Sequence, residues 1–118
     1  MFYENKLIKI EIEAFQIPWL KIFTQEPIKE FSMCSNELQL EILRVLNIIE
    51  KEMITYYQPD KVNIASFGNY VPHVHFHIQA RFKDDNYFPE PTWGEKQRET
   101  ELEIKDFDQF LNQLHPKL

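Results

Sequence analysis

The sequence predicts an α+β fold: an antiparallel sheet with one main helix packed on a single face and a short helix at the C-terminus. Three observations predict it. Short period-two segments lie on either side of one long segment of helical period. The joins between neighbouring strand segments are short enough for hairpins. At 118 residues, with no Pro/Gly/Ser-rich stretch to divide it, the chain reads as a single domain, 1–118, with one modest core.

In KLIKIEIE, residues 6–13, Ile8, Ile10 and Ile12 alternate with Lys9, Glu11 and Glu13, the pattern of a half-buried strand. After Pro18, WLKIF (19–23) is a second short strand, and Pro27 breaks the pattern. The clearest helix is SNELQLEILRVLNIIEKEMITYY, 35–57. There Leu38, Ile42, Val45, Leu46, Ile49, Met53 and Tyr57 form one apolar stripe. Ser35 or Asn36 can cap its start, Glu37 and Glu41 lie where the helix dipole favours anions, and Pro59-Asp60 end it. Such a stripe fits the chain's own sheet better than a separate partner. KVNIASF (61–67) is a third strand, and the turn at Gly68-Asn69 leads into a fourth over residues 73–83. DDNYFPEPTWG (84–94), with two prolines and no period, is an extended loop. Phe107, Phe110, Leu111 and Leu114 mark the terminal helix, stopped near Pro116.

Composition excludes several classes of function. Hydrophobic residues at 43% and charged residues at 27% are ordinary for a folded soluble protein and too apolar for disorder. A net charge of −6 argues against general binding to nucleic acid or anionic membrane, so a phosphorylated substrate would need local donors. The single cysteine, Cys34, rules out an internal disulfide and reads as a small buried residue. No CxxC or Cys/His cluster points to structural zinc. The N-terminal MFYENKLIKIEIE has no basic region followed by an apolar run, and no apolar run approaches the ~20 residues that span a bilayer. A cytoplasmic protein is expected.

The stretch FGNYVPHVHFHIQARF, 67–82, sets His73, His75 and His77 at every second position. On a strand these share one face with Gln79 and Arg81, while Val74, Phe76, Ile78, Ala80 and Phe82 form a core face. Three readings compete for the imidazole row. It is a solvated strand face that happens to be His-rich, a metal site, or a site of catalysis by imidazole itself. Imidazoles in strict line converge poorly on one ion, and no further ligand is marked. Imidazole populates neutral and charged forms near pH 7, so one ring can attack while a neighbour donates. Gly68, one of only two glycines, permits a tight turn just before the row. Asn69 and Asn63 add amides, and the backbone N–H groups of Asn69, Tyr70 and Val71 could face a phosphate. Such donors favour catalysis on a phosphate over a metal site.

His73-Val-His75-Phe-His77-Ile-Gln79 resembles the HφHφHφφ signature of the histidine triad (HIT) superfamily of nucleotide hydrolases and transferases. The wider stretch 59–94 is similar to a small bacterial branch with the pattern NxxxxGNxVPxxHxHxxARxxDD. The resemblance implies a sheet of about five antiparallel strands with a helix on it, usually a homodimer joined through a continuous sheet. It implies that His75 attacks the α-phosphorus of a purine nucleotide or dinucleoside polyphosphate, giving a nucleotidyl-histidine that water resolves. By the same match His73 buttresses the nucleophile through its backbone carbonyl and side chain, and His77 binds phosphate oxygens. Asn69 falls near the phosphate, and Asn63 near an asparagine that orients the site. No metal or other cofactor is implied. A histidine at position 77, where a transferase branch has glutamine, favours hydrolysis. One departure matters: many HIT hydrolases carry a further histidine upstream, and none precedes His73 here. Leaving-group protonation then falls to a triad histidine, water or substrate, which leaves room for a nucleotide-binding regulatory protein with little turnover.

Among the remaining residues, Arg81 is expected to pair with Asp84 or Asp85 rather than to reach substrate, since it lies about 13 Å beyond His77 along a strand. Asp84 and Asp85 read as turn residues. Trp93 is equally consistent with a lid, a dimer contact or burial in the monomer, and His115 with a solvated side chain.

Overall fold

The computed structural model describes residues 1–118. Strands β1 (Tyr3–Glu4), β2 (Ile8–Ile12) and β3 (Trp19–Thr24) precede the long helix α1 (Asn36–Tyr57). Then come β4 (Lys61–Ala65), β5 (His75–Arg81) and helix α2 (Phe107–Leu114). The five strands form one sheet in the order β1-β2-β3-β5-β4, with every neighbouring pair antiparallel. No helix is long and apolar enough to cross a membrane.

Alternation in the strands decides what each face of the sheet does. Ile8, Ile10, Leu20, Ile22, Val62, Ile78 and Ala80 point to one side and are buried. Against them lies the α1 stripe of Leu38, Ile42, Val45, Leu46, Ile49 and Met53, and Phe110 and Leu114 of α2 complete the core. Burial of this apolar area is the main stabilising term. Ser35 starts α1: its Oγ accepts the Leu38 N–H at 3.1 Å. Gln58 ends it in the left-handed region at φ 50°.

The opposite face carries three cross-strand rows. Lys9, Phe23 and His75 lie side by side across β2, β3 and β5. Glu11, Lys21, His77 and Ala65 form the next row, and Trp19, Gln79 and Asn63 the third.

Strand β1 completes the five strands that the resemblance implies, though no period marks it: it is two residues long and is held by a turn in which Asn5 Oδ1 accepts the N–H groups of Leu7 and Ile8. Two readings of the residues are corrected. The fourth expected strand starts at His75, not at residue 73. Pro72 has no N–H, His73 donates to the Val71 carbonyl at 2.8 Å and Val74 to Ile28 at 2.7 Å, so none of them enters the ladder. His73 therefore leaves the imidazole row, and its side chain is exposed. Lastly, the histidine face is not a solvated surface. His75, His77, Gln79 and Arg81 are all buried, covered by β3 side chains and by the loop 84–94.

Candidate active site

His75 opens β5 and is held both at its backbone and at its ring. Ser66 Oγ donates to the His75 carbonyl at 2.6 Å. Its ring nitrogen Nδ1 lies 2.7 Å from the carbonyl oxygen of His73. A carbonyl can only accept, so Nδ1 bears a proton, and in the neutral ring Nε2 keeps its lone pair. Phe23, the β3 residue paired with His75, stacks on the ring at 5.0 Å and 15°. The nucleophile candidate is thus fixed in tautomer and in plane.

His77 stands two residues on, with ring centroids 5.1 Å from those of His75. Trp19 Nε1 donates to its Nδ1 at 3.0 Å. Trp93 packs edge-on to the same ring at 4.8 Å, and to Trp19 at 5.3 Å. Burial, then the nearby His75 and Lys21, push the His77 imidazole down to about 4 against a smaller upward pull from Glu13. His77 is neutral at pH 7.

A cleft of about 510 Å³ opens beside the two rings. Phe67, Gly68, Asn69, Tyr70 and Val71 form one wall, Trp93 the other, and His75 and His77 the floor. Gly68 adopts φ +74°, a conformation that disfavours any side chain, and there the chain turns toward His73 and His75. None of the N–H groups of residues 68–71 donates to a backbone acceptor. Of the residues singled out from sequence, His75, His77, Gly68, Asn69, Tyr70 and Val71 come together. His73 contributes its carbonyl from outside the cleft wall. Asn63 does not line the cleft; its Oδ1 accepts from Arg81 Nη1 at 2.8 Å.

Arg81 and Asp85 form the expected ion pair, both almost fully buried, at 2.9 Å and 3.1 Å. Arg81 also donates to the Glu90 carbonyl, and the Asp85 carboxylate accepts the N–H groups of Phe82, Tyr87 and Phe88. Burial alone would push the Asp85 carboxyl up; Arg81 and these three N–H groups reverse that and hold it low. Gln79 Nε2 reaches Thr92 Oγ1 at 2.8 Å. These bonds anchor the loop 84–94 and so set Trp93 over His77. Trp93 packs edge-on against Trp19, Phe67 and His77 and stays 45% exposed.

Sequence reasoning missed Trp19, Phe23, Ser66 and Thr92. The first two had a signal: Trp19, Lys21 and Phe23 alternate along β3, as the histidines do along β5. No three histidine, cysteine or carboxylate side chains come together in a way that could hold a metal ion.

The HIT domain family model matches residues 2–84, well over half of the chain. No curated protein matches significantly. Among solved structures, a histidine triad protein from Bradyrhizobium japonicum superposes with TM-score 0.78 at 27% identity, over 97% of this chain and 86% of that one. One from Marinobacter aquaeolei gives 0.74 at 28%, over 81% and 72%. One from Sinorhizobium meliloti gives 0.78 at 23%, over 99% and 87%, and speaks for the fold alone. On the extent of the family match, the chain belongs to the histidine triad (HIT) family.

Proposed function

We propose that the protein hydrolyses a nucleotidyl phosphoanhydride or phosphoramidate of AMP type through a nucleotidyl intermediate on His75. The observation that carries this reading is the bond from His75 Nδ1–H to the His73 carbonyl, which directs a bare Nε2 toward a cleft with unused backbone N–H groups. In the first step Nε2 attacks the α-phosphorus. An N–P bond forms, the bond to the leaving oxygen or nitrogen breaks, and its electron pair stays with the leaving group, a departing nitrogen taking its proton from water. The imidazole gains positive charge, which the His73 carbonyl stabilises at Nδ1–H. His77 and the N–H groups of residues 68–71 donate to the charged phosphoryl oxygens. Water then attacks phosphorus and gives up a proton to solvent, the N–P bond breaks with its electron pair returning to Nε2, and AMP leaves with His75 regenerated. Asn63 acts at a remove, through Arg81 and the loop it anchors.

A second reading has its own support. A His77 pushed down to about 4 is a weak proton source for a leaving group, and no histidine precedes His73. That combination suits a nucleotide-binding regulatory protein with little turnover. Turnover of adenosine phosphoramidate and diadenosine polyphosphates, measured in chelator beside AMP binding, separates the two. Release of AMP that disappears in His75→Ala while AMP still binds supports the hydrolase. Binding without release supports the regulatory reading, and binding that returns only with added metal supports neither. We also read the protein as a homodimer joined at the free edge strand β4, where Ile64 is exposed. Sedimentation at twice the 14.4 kDa chain mass checks this.

A further inference from the structure

Two neighbouring imidazoles in this site have opposite hydrogen-bonding constraints. His75 Nδ1 faces a carbonyl, which can only accept; His77 Nδ1 faces an indole N–H, which can only donate. Nδ1 of His77 must therefore be bare, and in the neutral ring its one proton sits on Nε2. The pairing comes from strand register. Trp19 lies opposite Gln79 on β3–β5, hence diagonal to His77, within reach of an aromatic side chain. The indole is itself fixed, being 7% exposed and wedged between Phe15 and Trp93.

We propose that Trp19 is a positioning residue whose indole N–H holds His77 as a neutral Nε2–H donor beside the bare Nε2 of His75. The inference rests on the hydrolase reading for its kinetic consequence, but not for its structural one. One ring presents a lone pair and the next presents a proton, without a second cation that would compete for the nucleophile's lone pair. Other groups around His77 are consistent with a neutral ring. His75 adjoins it on β5, and Lys21 faces it from β3 while engaged by Glu13 at 3.1 Å. Phe67 and Trp93 flank the ring where it lines the cleft. The donor thus recognises phosphoryl oxygen by hydrogen bonding and not by charge.

The test uses the full chain, with imidazole nitrogens labelled for NMR at pH 7.5. The expected spectrum has His75 protonated at Nδ1 and His77 at Nε2, and adding AMP shifts the His77 Nε2–H resonance while Nδ1 stays bare. His77 found protonated at Nδ1, or at both nitrogens, overturns the proposal whether or not the protein turns anything over. Trp19→Phe removes the N–H and keeps a ring in place. It is expected to mix the His77 tautomers, to raise the His77 pKa, and to lower kcat about tenfold with KM within about threefold. In a His77→Gln background the amide nitrogen donates without needing a tautomer fixed. There Trp19→Phe is expected to change kcat by less than about twofold. An equal loss in both backgrounds makes Trp19 a packing residue only and overturns the proposal. Should the wild type turn over nothing, the hydrolase reading fails, while the NMR result still decides the role of Trp19.

Discussion

At the scale of single residues, the three histidines divide by what each atom touches. His73 contributes a backbone carbonyl while its side chain is exposed, so replacing that side chain leaves the contact intact. His73→Ala is therefore expected to keep kcat within about threefold, whereas His75→Ala loses about 10³-fold or more. Steady-state assays of the two variants side by side check this. Comparable losses would mean that the His73 imidazole reaches the substrate. The regular HxHxH spacing hides this division, because it gives three residues one apparent role. Pro72 breaks the equivalence by removing an N–H just where a strand would have to continue.

At the scale of elements, the loop 84–94 is as much a part of the site as β5. Its anchor is a buried ion pair, and removing one partner strands the other in a low-dielectric interior. Asp85→Ala is expected to cost about 3–5 kcal/mol in urea unfolding and to release Trp93 from His77, seen as a change in tryptophan fluorescence. Helix α1 offers the opposite case. Gln58, exposed, sits at φ 50° where glycine carries no steric penalty, so Gln58→Gly is expected to stabilise the fold by about 1 kcal/mol in the same measurement. Elements with a sustained period were legible from the chain alone: β2 by its isoleucines, α1 by its stripe, α2 by its four apolar residues. What escaped has a common cause. Strand β1 is too short to show a period, and the roles of Trp19 and Phe23 depend on which residue of β5 they meet across more than 50 intervening positions. Register of that kind is a property of the pairing and not of either segment. For the same reason the partner of Arg81 could be narrowed to Asp84 or Asp85, while only the backbone turn selects Asp85.

For the molecule as a whole, the site and the core share one sheet, so the chemistry of the site enters the stability of the fold. The His77 imidazole titrates at about 4 in the folded protein against an ordinary 6.5. Between those values the unfolded chain takes up the proton and the folded one does not. This contribution is complete above pH ~6.5 and is lost as pH falls toward 4. Urea unfolding of wild type against His77→Gln across that window is expected to show the wild type losing stability more steeply. Parallel curves would mean that His77 is not buried as a neutral ring. The family and its sheet were legible from the HxHxH stretch and the glycine turn, since both are local. The covered state of the histidine face was not, because it depends on a distant tryptophan and an aperiodic loop folding back. The most direct test of the central claim is intact-protein mass spectrometry after brief mixing with adenosine phosphoramidate and an alkaline quench. One added adenylyl group is expected, mapped by fragmentation to His75 and absent from His75→Ala. Steady AMP release with no adduct at His75, or release that survives in His75→Ala, would contradict it.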